Sequence, residues 1–292
     1  MRETEVEKPV RILTFDIEEW FHLLDIEPIN KIEHWNNYEI RIHRNTERIL
    51  HLLKESNQKA TFFCLGWIAE KYPQIIADIS SQGYEIGSHT SYHQLAYRLT
   101  PNQFRDDLRR SIDVLESITG KKVRSFRVPG FSITRKNLWA FEIIAQCGIQ
   151  FDSSVFPATR AHGGFKEFDG NRPCIINTSF GDIKEFPINT IRFLGKRVVF
   201  SGGGYFRLFP YYLIHWFISR SEYVMSYFHP RDFDPDQPLL QGLPVSRRFK
   251  SYTGLKSALT KLKKILDNFH FTDIDGAVSL IKWEKKMPVE SY

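Results

Sequence analysis

Four short stretches of this 292-residue chain carry side chains that could do chemistry together. Asp16 and Glu18 follow an apolar run, Val10 to Phe15, that reads as a buried strand, and on extended backbone residues two apart point to the same side. Two carboxylates facing one pocket can serve as base and metal ligand; with Glu19 beside them they can equally be an acidic loop end. His89 and His93 stand four apart, a spacing that puts two imidazoles on one face of a helical turn. With one carboxylate they make a three-ligand set that leaves a metal position open for water. Arg127 also follows a strand-like run, and a buried arginine there needs a carboxylate or water. Asp16 suits that role and would be held ionised, as a general base must be. Gly130 permits close backbone approach, so its N–H can meet a developing oxyanion. His229 ends the segment Tyr223 to Phe228 and can be a third metal ligand, a general acid or a polar strand cap. The acid role is favoured, because a protonated imidazole can pass a proton to a leaving amine.

All four stretches sit at predicted strand ends, where α/β sheets and barrels place their active sites. Further strands are predicted over Ala60 to Leu65, Tyr84 to Gly87, Val123 to Val128 and Ile149 to Phe151. Helices are predicted over Ile42 to Leu53, Ile68 to Ser80 and Arg135 to Gln146, and the alternation specifies parallel strands covered by helices. The clearest helix opens at Thr100-Pro101-Asn102-Gln103, where Thr100 caps, Pro101 fits the first helical position and Gln103 bonds back; it ends at Gly120. From about Phe165 the pattern loosens, and Gly202-Gly203-Gly204 reads as a flexible loop. The Pro-rich stretch Pro230 to Pro244 leads to a helix around Leu255 to Phe269, whose Lys256, Lys261, Lys263 and Lys264 read as a solvated face. The expected organisation is one domain over 1–292, with a barrel core about 10–235 and a C-terminal extension about 236–292.

Composition narrows the function classes. Hydrophobic residues make up 42% and charged residues 25%, which excludes a disordered chain. Three cysteines without a CxxC spacing argue against a disulfide framework, and reduced thiols in a cytoplasmic protein are expected. Met1 to Pro9 has neither the basic nor the apolar region of a signal peptide, which gives the same expectation. The longest apolar stretch, Leu208 to Ile218, is interrupted by Pro210 and His215 and falls short of the ~20 residues of a spanning helix. It reads as a core helix, with contact to a membrane surface as the other option. The net charge of +6 suits an anionic partner and ordinary solubility alike. No nucleic-acid motif accompanies that charge, which leaves peripheral contact with the inner membrane as the macromolecular option it would suit.

Taken in order, Thr14-Phe15-Asp16, His89-x3-His93, Arg127-x-Pro129 and the strand-end His229 resemble the active-site motifs of the NodB-homology polysaccharide deacetylases, carbohydrate esterase family four. The stretches Thr14 to Phe21, Asp152 to Pro157, Gly203 to Arg207 and His229 to Pro235 are similar to the branch that accompanies exopolysaccharide, capsule and O-antigen gene clusters. The resemblance implies an α/β fold, an irregular (β/α)7 barrel with a C-terminal helical extension. It also implies metal-dependent N-deacetylation of an amino sugar in a surface polysaccharide or its precursor, so the expected partner is a carbohydrate, with a lipid-linked glycan as an option. Carried over by residue, Asp16 is the base, Glu18, His89 and His93 are metal ligands, and Arg127 positions the base. Gly130 is the oxyanion N–H donor and His229 the catalytic acid. Zinc is the first choice on ligand type, with cobalt or nickel able to occupy the same site. The chain departs from the common pattern in placing the second carboxylate two positions on, which leaves Glu19 as a substitute for Glu18. It also puts Gly130-Phe131 where an aromatic residue usually follows the Arg-x-Pro motif. Asp152 is a candidate for the aspartate partner of His229. Trp20, Phe131 and Tyr205 are expected to stack on sugar faces, Arg160 and Arg207 to grip an anionic group, and His22 and His162 to line the mouth. The rivals are removal of a formyl group, opening of a cyclic amide, and an inactive glycan-binding homologue.

Overall fold

Two strands with every side chain buried, β2 (Thr14–Ile17) and β3 (Thr61–Cys64), lie at the centre of the structure, as only a sheet covered on both faces allows. The computed structural model describes residues 9–24, 31–160, 162–168, 171–193, 195–240, 243, 245–283 and 286–288. The strands are β1 (Val10–Ile12), β2, β3, β4 (Glu85–Ser88), β5 (Ser125–Phe126), β6 (Phe151–Asp152), β7 (Cys174–Thr178), β8 (Gly181–Glu185), β9 (Ile191–Phe193), β10 (Lys196–Val198), β11 (Tyr223–Met225) and β12 (Lys286–Pro288). The helices are α1 (Ile42–Ser56), α2 (Gly66–Lys71), α3 (Pro73–Ser81), α4 (Pro101–Thr119), α5 (Trp139–Gln146), α6 (Gly203–Leu208), α7 (Tyr211–Ser219), α8 (Val245–Tyr252), α9 (Leu255–Asn268) and α10 (Ile274–Val278).

Around the molecule β11, β1 with β2, β3, β4, β5, β6 and β8 follow one another, each parallel to the next, so seven parallel staves form an incomplete barrel. The first stave changes neighbour at Leu13: β1 pairs with β11 and β2 with β3. Between β11 and β8 the gap is bridged by single bonds, Tyr223 Oη to the Pro187 carbonyl and the Met225 N–H to Asn189 Oδ1. β7 and β12 extend the sheet beyond β8, with β7 antiparallel to it. This is the expected α/β architecture, with the irregularity confined to one seam.

Local signals explain most boundaries. Thr100 and Gln103 form the capping box of α4, which stops at Gly120 in the left-handed conformation. The helix expected over Ile68 to Ser80 is two, because Pro73 opens α3 at its first turn. Gly202 to Gly204 is not a flexible loop. A side chain at Gly202 would meet the Tyr227 carbonyl oxygen at 2.1 Å, so these glycines allow the start of α6 to lie against β11's continuation, where the Gly203 N–H bonds to Tyr227. The lysines of α9 are not all a solvated face either. Leu255, Ala258, Leu262, Ile265 and Leu266 pack into the core, and Lys261 turns inward to donate to the carbonyls of Phe206, Arg207 and Phe209 at the end of α6. No helix among the described residues is long and apolar enough to cross a membrane.

Candidate active site

Arg127, just past β5, has a fully buried side chain that meets residues of β2, β3 and β11 and of the segment after β6. Its Nη1 donates to Asp16 Oδ1 and to Thr14 Oγ1, both at 2.7 Å. Nε and Nη2 donate to the carbonyl and hydroxyl of Ser153 at 3.1 and 2.9 Å, and the guanidinium lies 4.4 Å over the Phe63 ring. A buried cation with this many partners is fixed in one orientation, and it fixes Asp16 with it. Asp16 keeps Oδ2 free of Arg127, facing His229 Nε2 at 3.8 Å.

Glu18 leaves β2 through a tight turn in which its N–H returns to the Asp16 carbonyl. Its Oε2 is 2.6 Å from His93 Nε2, and its Oε1 is 3.1 Å from His229 Nε2. Burial pushes the Glu18 carboxyl up, but His93, His229 and His89 outweigh it and hold the group well below the usual carboxylate range. His89 Nδ1 donates to the Arg127 carbonyl at 2.7 Å, which leaves Nε2 with its lone pair free, and burial pushes its pKa down to about 4. A ligand atom from each of Glu18, His89 and His93 lies within 4.8 Å of the others. One carboxylate oxygen and two imidazole nitrogens, all from buried side chains, fit a divalent cation.

The histidines do not share a helical turn. Beyond β4 the chain is irregular, with Thr90 and His93 both in the left-handed region, φ 65° and 53°. Gly66 and Trp67 at the start of α2 bond the carbonyls of Thr90 and Ser91, and the Ser91 hydroxyl bonds the Asp107 carbonyl on α4, so the loop is held from two helices.

Glu19 is settled by its partners. Its Oε1 accepts the N–H groups of Arg41 and Ile42 at 2.6 and 2.8 Å and its Oε2 that of Trp20, so it caps α1 from outside the helix. Burial pushes its pKa up to about 7 against these three donors. Glu18→Ala is therefore expected to lose bound divalent metal. Glu19→Ala keeps it and costs about 1–2 kcal/mol of stability, as for a lost helix cap; metal analysis beside urea unfolding checks both.

His229 has a partner that the sequence did not assign correctly. Its Nδ1 donates to Asp232 Oδ2 at 3.1 Å, across a 3-10 turn in which the Asp232 carboxylate also accepts the His229 N–H. Burial pushes the imidazole down, but Glu18, Asp232 and Asp16 raise it to about 9. Asp152, the expected partner, is a buried residue of β6 and pairs elsewhere. Its Oδ1 accepts from Ser154 Oγ, and burial raises both it and the neighbouring Glu185. Ser154 Oγ accepts the Val128 N–H, so this pair braces the segment that carries Arg127 and Gly130. The signal for Asp232 was present: an acid three residues after a Pro-preceding cap is capping-box spacing.

Several expected substrate contacts are corrected. Trp20 is buried, with its indole N–H on the Glu39 carbonyl and its ring edge-on to Phe21 and Tyr38. Phe131 is buried between Phe156 and Tyr227. Arg207 pairs through Nε with Asp232 Oδ1 at 3.0 Å, and its Nη atoms donate to the carbonyls of Lys250, Ser251 and Thr253. It is therefore satisfied internally. His22 is enclosed by Trp35, Trp67 and Phe21, with its ring 6.2 Å from that of His93, and backs the three-donor set rather than lining the mouth. Arg160 lies over Phe131 and Phe156, half-buried, and Tyr205 is 49% exposed on α6. Gly130 has φ 63°, and a Cβ there would stand 2.7 Å from Leu24 and 3.6 Å from His162, which places His162 beside the proposed oxyanion donor. A cavity of about 440 Å3 at the other end of the staves is lined by Lys59, Glu85, Lys121, Arg124 and Asp275. Its Arg124 pairs with its own Asp275, and none of the residues above reach it.

The family model described as Polysaccharide deacetylase matches residues 4–151, half of the chain. The chain belongs to the polysaccharide deacetylase family. Residues 153–279 match a second model, described as a domain of unknown function, DUF3473, so this deacetylase family member draws Asp16, His89, His93 and Arg127 from one match and His229 and Asp232 from the other. Among curated relatives, a peptidoglycan-N-acetylglucosamine deacetylase of Bacillus cereus is 36% identical over 98 residues, 33% of this chain and 36% of that protein. The match thus spans about a third of that relative's length. A solved putative polysaccharide deacetylase from Mycobacterium smegmatis shares the fold with a TM-score of 0.65 at 18% identity, over 97% of this chain and 94% of that one. A carbohydrate esterase family four pseudoenzyme from Bacillus anthracis superposes with a TM-score of 0.51 at 16% identity, over 96% of this chain and 66% of that one.

Proposed function

We propose that the protein hydrolyses the acetamido group of an amino sugar in a bacterial surface polysaccharide or its precursor, releasing acetate and a free amine. The observation that carries this is the opposition of two polarised groups across one gap. Asp16 is tied by Arg127 through one oxygen, and His229, tied by Asp232, faces the other at 3.8 Å, with Glu18 of the three-donor set 3.1 Å from the same His229 nitrogen. A divalent cation held by Glu18, His89 and His93, zinc by ligand type, supplies a Lewis acid for the amide carbonyl and for water. Asp16 Oδ2 takes the proton from the attacking water. His229 gives one to the departing nitrogen, and the Gly130 N–H is offered as donor to the oxygen on which charge develops. Each proton-handling group has its second hydrogen-bonding atom occupied by a fixed neighbour, which orients it before substrate arrives.

The location proposed is cytoplasmic, supported by three free cysteines, of which Cys64 and Cys174 are buried. There the substrate is a glycan precursor of the exopolysaccharide, capsule or O-antigen type. The test is an assay of acetate, formate and free amine from acetamido oligosaccharides, with zinc, cobalt or nickel restored after chelation. Equimolar acetate and amine, lost on chelation and recovered with metal, are expected; formate alone, or no product from metal-loaded protein, sinks the proposal.

The charge on His229 gives a pH prediction. Asp232 raises the imidazole, so Asp232→Asn lowers its pKa and the proton is lost at lower pH. The alkaline limb of kcat should move to lower pH, with kcat at neutral pH down by about tenfold. A variant whose pH profile stays superimposable on the wild type would remove Asp232 from the reaction.

A further inference from the structure

Three short helices, α6, α7 and α8, each show an exposed apolar pair. On α6, Tyr205 and Leu208 are three apart and 49% and 39% exposed. The chain turns at Pro210 into α7, which buries Ile214, Phe217 and Ile218 and sends Tyr212 and Trp216, four apart, outward at 83% and 40%. On α8, Val245 and Phe249, again four apart, are 86% and 57% exposed. Arg207 fastens α6 to the end of α8, and a Cβ on Gly204 would stand 3.5 Å from the Lys250 carbonyl, so these two helices adjoin. Single exposed apolar residues are ordinary, but adjoining helices that each show an apolar pair mark an interaction surface.

Charge says what kind. Residues 203–220 and 237–266 hold nine Lys and Arg and no Asp or Glu; Arg207 and Lys261 turn inward, and the other seven still exceed the whole net charge of +6. The Arg220 guanidinium lies 5.0 Å over the Trp216 ring, and Arg248 and Lys250 are exposed on either side of Phe249. Aromatic and aliphatic tips ringed by cations, on short helices lying along a surface, match a boundary between acyl chains and anionic headgroups. A second copy would bring the same positive charge to the face.

We propose that this face docks on an anionic lipid bilayer. It adjoins the rim because Arg207, at the junction of α6 and α8, pairs with Asp232, the partner of His229. A glycan carried on a lipid in that bilayer would then be presented at the site. This last step rests on the deacetylase proposal; the docking itself does not.

The test is co-sedimentation of the full chain with vesicles of phosphatidylcholine alone and of phosphatidylcholine mixed with phosphatidylglycerol. Binding only to the anionic vesicles, weakening as salt rises, is expected. Arg248→Glu with Lys250→Glu, and separately Val245→Ser with Phe249→Ser, should each weaken it, the charge reversal by at least about tenfold at about 1 kcal/mol per basic residue. Both variants should hydrolyse a soluble acetamido sugar at the wild-type rate, which also shows that they fold. Failure of the wild type to sediment with anionic vesicles at low salt, equal binding to both vesicle types, or a dimer in light scattering that the same substitutions dissociate would each overturn the proposal. If the wild type binds anionic vesicles yet hydrolyses no acetamido sugar, the docking stands and the deacetylase assignment falls.

Discussion

Asp16→Asn should lower the rate of amide hydrolysis by about a hundredfold to ten-thousandfold, the range spanned by a positioned general base. The amide oxygen can still accept from Arg127 Nη1, so the barrel should stay intact. The metal donors come from Glu18 and the β4 loop, so metal content should stay near stoichiometric. The pair of measurements is decisive: loss of turnover together with loss of metal would make Asp16 a ligand, and retention of more than about a tenth of the wild-type rate would remove it as the base.

Arg127→Leu should act on fold and activity at once. Removing the guanidinium leaves the Asp16 carboxylate, the Ser153 carbonyl and the Thr14 hydroxyl without their donor, and all three residues are buried. Breaking a buried pair from one side costs about 3–5 kcal/mol. That loss should be visible as a lower urea midpoint with an unchanged slope. Arg127→Lys keeps the charge but cannot reach Asp16 and Ser153 together, so it should recover part of the stability and little of the turnover. A wild-type urea midpoint in Arg127→Leu would show that the network contributes nothing net to the fold.

Much of the site was legible because its members stand where buried strands end. Asp16, Arg127 and His229 each follow an apolar run, and no local pattern other than a shared rim requires a charged group there. What failed was direction. β2 and β3 are buried on both faces, so alternation no longer tells inward from outward, and aromatic residues beside them look alike whether they face sugar or core. Trp20 and Phe131 were misassigned for that reason. Arg207 was misassigned because its partners, three carbonyls past Phe249 and the carboxylate of Asp232, are more than twenty residues away in sequence. The choice between Glu18 and Glu19 turned on a helix N-terminus, Arg41 and Ile42, that lies beyond any local window.

The guanidinium of Arg207 joins two things that would otherwise be independent: the carbonyls ending α8 and the carboxylate that holds His229. By thermodynamic reciprocity, any ligand of α8 that binds its Arg207-tied and untied forms unequally must change the proton affinity of His229. Protonation of His229 must in turn change the affinity for that ligand by the same factor.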